Sequence, residues 1–204
     1  KASVLAKKPQ NISHLEINAL SLIGLTAVIS IEDTLKLQPN EKILIQGGAG
    51  GVGGYAIQLA KHIGAYVIST ARENNREYVL GLGADEVIDY TKTDFTDFVS
   101  DCDAVFETVG GEVGIKSFQV LKPGGRAAFI ASGTQAPTPT RDDVQSLRPK
   151  VGRDRSYMER VLRQYQTDAV QPPEMTCYAL TDAPEAQRVS EGRHLRGKLM
   201  LKIL

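Results

Sequence analysis

Ile43-Leu44-Ile45-Gln46-Gly47-Gly48-Ala49-Gly50-Gly51-Val52-Gly53-Gly54 joins a β-rich run to a glycine-dense turn. Beyond the turn, Val52, Ala56, Leu59, Ala60 and Ile63 recur at helical spacing on one face, and Gly64 stands where a left-handed C-terminal cap is wanted. Gly48, Gly50 and Gly53 satisfy G-x-G-x-x-G. In that pattern one glycine makes a tight turn, the second lets a diphosphate approach the backbone, and the third lets helix and strand pack closely. Free amides and the helix dipole then favour an anion at the helix start. A glycine-rich turn that binds nothing is the bland alternative. The strand before, the helix after and a second strand following in register favour dinucleotide binding.

Outward from this unit, further β-rich runs alternate with helical segments. They are Tyr66 to Thr70, Glu86 to Asp89, Ala104 to Glu107, Ala127 to Ile130 and Leu199 to Ile203, which with Ile43 to Gln46 make six strand candidates. Their apolar runs are continuous, as expected for strands covered on both faces. Helices are expected over Asn74 to Leu82, Glu112 to Leu121, Ser156 to Ala169 and Ala183 to Arg193. Right-handed crossovers then specify an α/β doubly wound parallel sheet, the Rossmann fold, with six strands in the order 3-2-1-4-5-6. Upstream, Ser13 can cap a helix over His14 to Leu20 with Glu16 in the capping-box position, and residues 13 to 31 read as one or two packed helices. Gly133 to Pro149, which carries Pro137, Pro139 and Pro149, reads as a loop over one end of the sheet.

The residue that reads the adenosine ribose should close the second strand, about 20 residues beyond the glycines. Counting gives Thr70, followed by Ala71 and Arg72. An acidic residue there would accept from ribose hydroxyls. A hydroxyl, a small residue and a guanidinium instead tolerate a 2′-phosphate, with Arg72 able to donate paired hydrogen bonds and Asn75 another. The plain alternative pairs Arg72 with Glu73 or Asp89.

Composition agrees with an ordinary globular fold. The 204 residues are 42% hydrophobic and 24% charged, and 24 basic side chains balance 24 acidic ones. That balance removes the diffuse positive field of a general nucleic-acid binder. Arg141 to Arg163 holds seven basic and four acidic side chains, which a solvated helix face explains more simply than nucleic acid. Two cysteines are too few for a disulfide framework, so a reducing, cytoplasmic setting is expected. The uncharged runs Ile17 to Ile31 and Ile43 to Ala60 do not form the roughly 20 predominantly apolar residues of a membrane span. The chain opens at Lys1 without an initiator methionine, so a longer parent is expected.

At these residues the chain resembles the nucleotide-binding domain of the medium-chain dehydrogenase/reductase superfamily, and most closely its zinc-independent quinone oxidoreductase branch. The likeness is carried by Gly24-Leu25-Thr26-Ala27, Gly50-Gly51-Val52-Gly53, Leu82-Gly83-Ala84-Asp85-Glu86-Val87-Ile88-Asp89-Tyr90, Leu121-Lys122-Pro123-Gly124-Gly125 and Gly197-Lys198-Leu199. In that family a GroES-like barrel precedes this domain, and nothing in the sequence resembles it. The resemblance therefore implies that residues 1–204 form a single NADP-binding domain, the cofactor half of a longer chain that reduces a quinone or an α,β-unsaturated carbonyl. It places Gly50, Gly51 and Val52 at the diphosphate and Thr70, Ala71, Arg72 and Tyr90 at the adenosine end. It puts Val109, Ala131 and Ser132 toward the nicotinamide, with Thr26 and Lys198 as further contacts. Lys198 also reads plainly as a solvated residue entering the last strand.

Independently, Thr108-Val109-Gly110-Gly111 and Ala131-Ser132-Gly133 are small-residue turns at carboxyl ends of strands, where open parallel sheets bind ligands. His14, His62, His194, Cys102 and Cys177 are scattered without ligand spacing, so no metal is expected. No G-x-S-x-G elbow or G-x-x-x-x-G-K-[ST] loop occurs, which removes hydrolase and NTPase readings. The expected partner is a small-molecule substrate, without nucleic acid or membrane, and the apolar last strand offers an edge for a homodimer. A non-enzymatic dinucleotide-binding module and the cofactor domain of a zinc-dependent alcohol dehydrogenase stay open as alternatives.

Overall fold

A computed structural model describes residues 2–131, 133, 135–150, 152 and 154–203. Strands β1 (Lys42–Ile45), β2 (Tyr66–Ala71), β3 (Glu86–Asp89), β4 (Cys102–Glu107), β5 (Leu121–Phe129) and β6 (Gln145–Leu147) form one parallel sheet in the order β3-β2-β1-β4-β5-β6. Ile43 and Ile45 pack into one hydrophobic cluster with Val67, Ala104, Phe106 and Ala128, while Leu44 joins Ile68, Val105, Ala127 and Phe129 in the other. Successive side chains thus enter opposite covered faces, which is why the runs are apolar without alternation.

The expected strand order is present, but its sixth strand is not the one read from the sequence. β6 lies inside the stretch expected to be loop. Three residues, Gln-Ser-Leu, half exposed at a sheet edge, carry almost no hydrophobic signal. Leu199 to Ile203 falls instead on β8 (Lys198–Lys202), which pairs in parallel with β7 (Met175–Ala179) as a separate ribbon. α6 (Ala183–Glu191) carries the chain back between the two strands, so β7 is the neighbour a short crossover can reach. β7 itself was not expected, because its side chains are largely exposed and follow Pro172-Pro173.

Ser13 caps α1 (His14–Val28) as expected: its Oγ accepts from Glu16 N at 3.1 Å and Glu16 Oε2 accepts from Ser13 N at 2.9 Å. Hydrogen bonding from the Ser13 side chain and backbone amide holds the Glu16 carboxyl below its usual range. A π-helical segment, Ile29–Thr34, continues α1, so the stretch 13 to 31, expected as one or two packed helices, lies in a single rod that ends at Thr34. Gly24 does not break the helix, because it is where α5 (Arg155–Gln166) crosses: a Cβ on Gly24 would stand 2.8 Å from Val161 Cγ1. The continuous 21-residue rod His14–Thr34 is, by length and composition only, long and apolar enough to cross a membrane, whereas the uncharged run Ile17 to Ile31 within it is too short. Its apolarity is accounted for by burial of Leu20, Ile23, Val28 and Ile31 in the larger core cluster.

α2 (Gly51–Ile63) ends at Gly64 with φ +96°, and α3 (Arg76–Gly81) occupies the expected second crossover. α4 is shorter than expected, Glu112–Lys116, because the chain turns and enters β5 at Leu121. Pro123, Gly124 and Gly125 therefore lie within β5, where a register shift opposite Cys102 to Ala104 absorbs them.

Candidate functional site

The carboxyl ends of β1, β2, β4 and β5 open into a cleft of about 1250 Å³. α6 and the segment leading into β8 form its far wall. The glycine turn makes the floor. A Cβ on Gly48 would stand 2.2 Å from Ser69 Oγ, and one on Gly53 would stand 2.3 Å from Gly47 O, so both glycines serve close packing beneath the cleft. Gly47 supplies the left-handed turn at φ +72°. Gly50 caps α2 without any side-chain hydrogen bond, so the first-turn amides of Gly51, Val52 and Gly53 have no carbonyl one turn earlier in the helix and no capping oxygen. Such a donor set fits a diphosphate.

Gly50, Gly51, Val52, Thr70 and Ala71 line the cleft, as do Arg72, Tyr90, Val109, Ala131 and Lys198. Gly48 and Gly53 lie below it, and Thr26 is not on its wall: the Thr26 hydroxyl donates to Leu22 O at 3.0 Å within α1. Ser132 lies outside the described residues. Thr70 is 2% exposed, and its hydroxyl donates to Gln46 Oε1 at 2.7 Å while accepting from Gly47 N at 3.1 Å. Its hydroxyl is thus committed to bracing the turn.

Arg72 is differently placed. Its Nε donates to Tyr90 Oη at 3.1 Å, and among the described residues no carboxylate pairs with it. Lys92 holds both Glu73, at 3.1 Å, and Asp89, at 3.3 Å, the two acids that could have taken Arg72. Tyr90 Oη is also 3.2 Å from His194 Nδ1, bringing in a residue that sequence reading left unassigned. His194 belongs to the segment entering β8, which Gly197 fastens to the glycine turn: its N donates to Ala49 O at 2.8 Å, and Gly50 and Gly197 form a parallel bridge. A Cβ on Gly197, at φ +67°, would stand 2.0 Å from Glu174 O.

At the other end, Thr108 Oγ1 donates to Gln46 O at 2.7 Å, and Val109, 51% exposed, projects on the cleft wall near Ala131. Two further groups missed in the sequence lie around this end. Glu107 is fully buried beneath the turn. Lys116 pairs with Asp94 on the rim and, with Thr96, drives the Asp94 carboxyl down to about 2. Neither stands in a motif: Lys116 acts through Asp94, 22 residues earlier, and the burial of Glu107 is set by the packed sheet.

Residues 82–201 match the family described as zinc-binding dehydrogenase, and the chain belongs to that family and so to the medium-chain dehydrogenase/reductase superfamily. Among curated relatives, it is 38% identical over 136 residues to the 2-methylene-furan-3-one reductase of Solanum lycopersicum. It is 35% identical over 156 residues to the chloroplastic NADPH-dependent alkenal/one oxidoreductase of Arabidopsis thaliana. These matches take in 66% and 72% of this chain but only 34% and 40% of the relatives. The quinone oxidoreductase of Coxiella burnetii superposes with a TM-score of 0.87 at 30% identity, covering 98% of this chain and 64% of that one. Zinc gives the family its description, but among the described residues no group of three or more His, Cys, Asp or Glu side chains could hold a metal ion.

Proposed function

We propose that the chain is the NADPH-binding domain of an oxidoreductase that delivers hydride to a quinone or an α,β-unsaturated carbonyl, residues 1–204 being one part of a longer two-domain protein. The observation that carries the cofactor choice is Arg72, which lines the cleft just beyond β2 with no acidic partner among the described residues, while Thr70 stands where an NAD-binding sheet usually offers a carboxylate. A guanidinium left without a carboxylate favours a phosphate over a pair of ribose hydroxyls. The amides of Gly51 and Val52 would hold the diphosphate. Val109 and Ala131 would offer an apolar wall to a flat ring at the opposite end. When bound, the reduced nicotinamide supplies the hydride. The substrate class rests on the names of the tomato and Arabidopsis relatives and of the Coxiella structure.

Calorimetric titration of the purified chain with NADPH and NADH tests the cofactor. Clear preference for NADPH is expected, and equal affinity or preference for NADH overturns it. Turnover by the longer parent with quinones and alkenals tests the substrate class. A second reading, the cofactor domain of a zinc-dependent alcohol dehydrogenase, is favoured by the family description and by a structural neighbour titled an NAD-dependent alcohol dehydrogenase, at 27% identity and TM-score 0.85. Metal analysis of the parent protein separates the two.

A further inference from the structure

Glu107 ends β4 with its side chain wholly buried, although nothing in the hydride chemistry requires a carboxylate there. Its Oε1 accepts from Val109 N at 2.6 Å and from Gly110 N at 2.7 Å. Oε2 is buried with no hydrogen-bond partner among the described residues, beside Gly114, whose Cβ would stand 3.7 Å away, and the Phe129 ring. Burial pushes the carboxyl above its usual range, the two amides only partly opposing it. A buried carboxyl with one oxygen unpaired opposes folding, so a group of this kind persists where the structure needs what it holds.

What it holds is the turn 108–111. Gly110 and Gly111 have φ +87° and +60°, and glycines in tandem leave a turn loose unless something pins it. Thr108 pins one end to the glycine turn through Gln46 O, and Glu107 pins the middle from below. Gly110 then packs so closely on the neighbouring turn that a Cβ there would stand 3.0 Å from Ala131 O. The result fixes Val109 on the cleft wall.

We infer that Glu107 is a positioning residue for the ring-bearing end of the bound dinucleotide, acting through the amides of Val109 and Gly110 without touching the ligand. The inference rests on the proposed nucleotide reading and separates the cleft into two halves that answer differently to substitution. Binding of NADPH and of 2′,5′-ADP, which carries only the adenosine half, is measured by calorimetry on wild type, Glu107→Ala and Glu107→Gln, together with the emission of bound NADPH. Glu107→Ala should weaken NADPH about tenfold while 2′,5′-ADP stays within about twofold, and should reduce the emission enhancement of the bound ring. Glu107→Gln keeps an oxygen for both amides and should recover NADPH binding to within about threefold of wild type. Should alanine fail to fold, Glu107→Asp, which withdraws the carboxylate by one methylene, is read in the same way. Equal loss of both probes without rescue by glutamine, or no loss of NADPH, overturns the inference. Wild type that binds 2′,5′-ADP but shows no split leaves the nucleotide reading standing and removes only Glu107. Wild type that binds neither probe removes both.

Discussion

Tyr90 and His194 meet across the cleft, Oη 3.2 Å from Nδ1, although 104 positions separate them in the chain. Arg72 Nε donates to the same phenol oxygen, so the tyrosine stands between the guanidinium and the imidazole. The contact ties the end of β3 to the segment that enters β8 and holds the guanidinium in its place on the wall. Tyr90→Phe removes both bonds at once. On the proposed reading, NADPH affinity falls about threefold to tenfold, as expected for losing a bond worth about 0.5–1.5 kcal/mol, while NADH affinity is unchanged. Paired titrations of the variant and wild type measure it. Equal loss for both nucleotides would show that the tyrosine merely supports the fold.

Arg72→Ala addresses the same end directly. A charge-assisted bond to phosphate is worth about 1.5–3 kcal/mol, so NADPH should bind at least about tenfold more weakly. Because Lys92, and not Arg72, holds Glu73 and Asp89, the substitution leaves those ion pairs intact and thermal stability close to wild type. An unchanged NADPH affinity removes Arg72 from phosphate recognition.

Tyr55 is the opposite kind of residue, structural and remote from the cleft. It is 2% exposed, and its hydroxyl donates to Gln164 Oε1 at 2.6 Å, while Gln164 Nε2 donates to Glu32 Oε1 at 2.7 Å. Burial, with the nearby Glu32 carboxylate second, raises the Tyr55 pKa far above the usual phenol value. Tyr55→Phe strands the glutamine oxygen and should cost about 1–3 kcal/mol in chemical denaturation. A loss below about 0.5 kcal/mol would show that the oxygen finds water instead.

Glycines in and out of the turn should respond in opposite directions. Gly53→Ala drives a methyl into the Gly47 carbonyl, backbone that cannot step aside, and should cost about 1–3 kcal/mol and abolish dinucleotide binding. Gly81→Ala, at the end of α3 with open space around it, should instead stabilise the chain by about 0.5–1 kcal/mol. Thermal melts of the two variants decide.

The acid limb of stability carries a signature of the cleft rim. Lys116, with Thr96, depresses the Asp94 carboxyl from 3.8 to about 2, so its contribution is present above pH 3.8 and is lost as pH falls toward 2. Lys116→Met should flatten melting temperature against pH in that window. Glu107 runs the other way: its raised pKa favours the fold at low pH and withdraws that contribution as pH rises through the raised value, so Glu107→Gln should remove a decline on the alkaline side of 4.5. Absence of either change in the pH profile rejects the corresponding assignment.

Much is legible in the sequence alone, because it depends on local chemistry. The turn from β1 into α2, the Gly64 cap and the Ser13–Glu16 box follow from residue type and spacing within a dozen positions. The five long strands follow from runs that must be apolar when both faces of a parallel sheet are covered. What could not be read depends on who lies next to whom. β6 is too short and polar to announce itself, and Leu199 to Ile203 is as apolar as a central strand yet pairs with β7, since partner choice belongs to the crossover and not to the strand. Thr70 counts to the right position, but its hydroxyl is spent on Gln46, and Arg72 keeps its place because Lys92 takes the nearby acids. Glu107 and His194 stand in no motif. Periodicity and glycine placement thus determined five strands of the sheet, their order and the location of the cleft, because backbone conformation and burial are set residue by residue. Only the folded chain decided which side chains face the cleft unpaired, because hydrogen bonds and ion pairs are settled between segments that the sequence holds far apart.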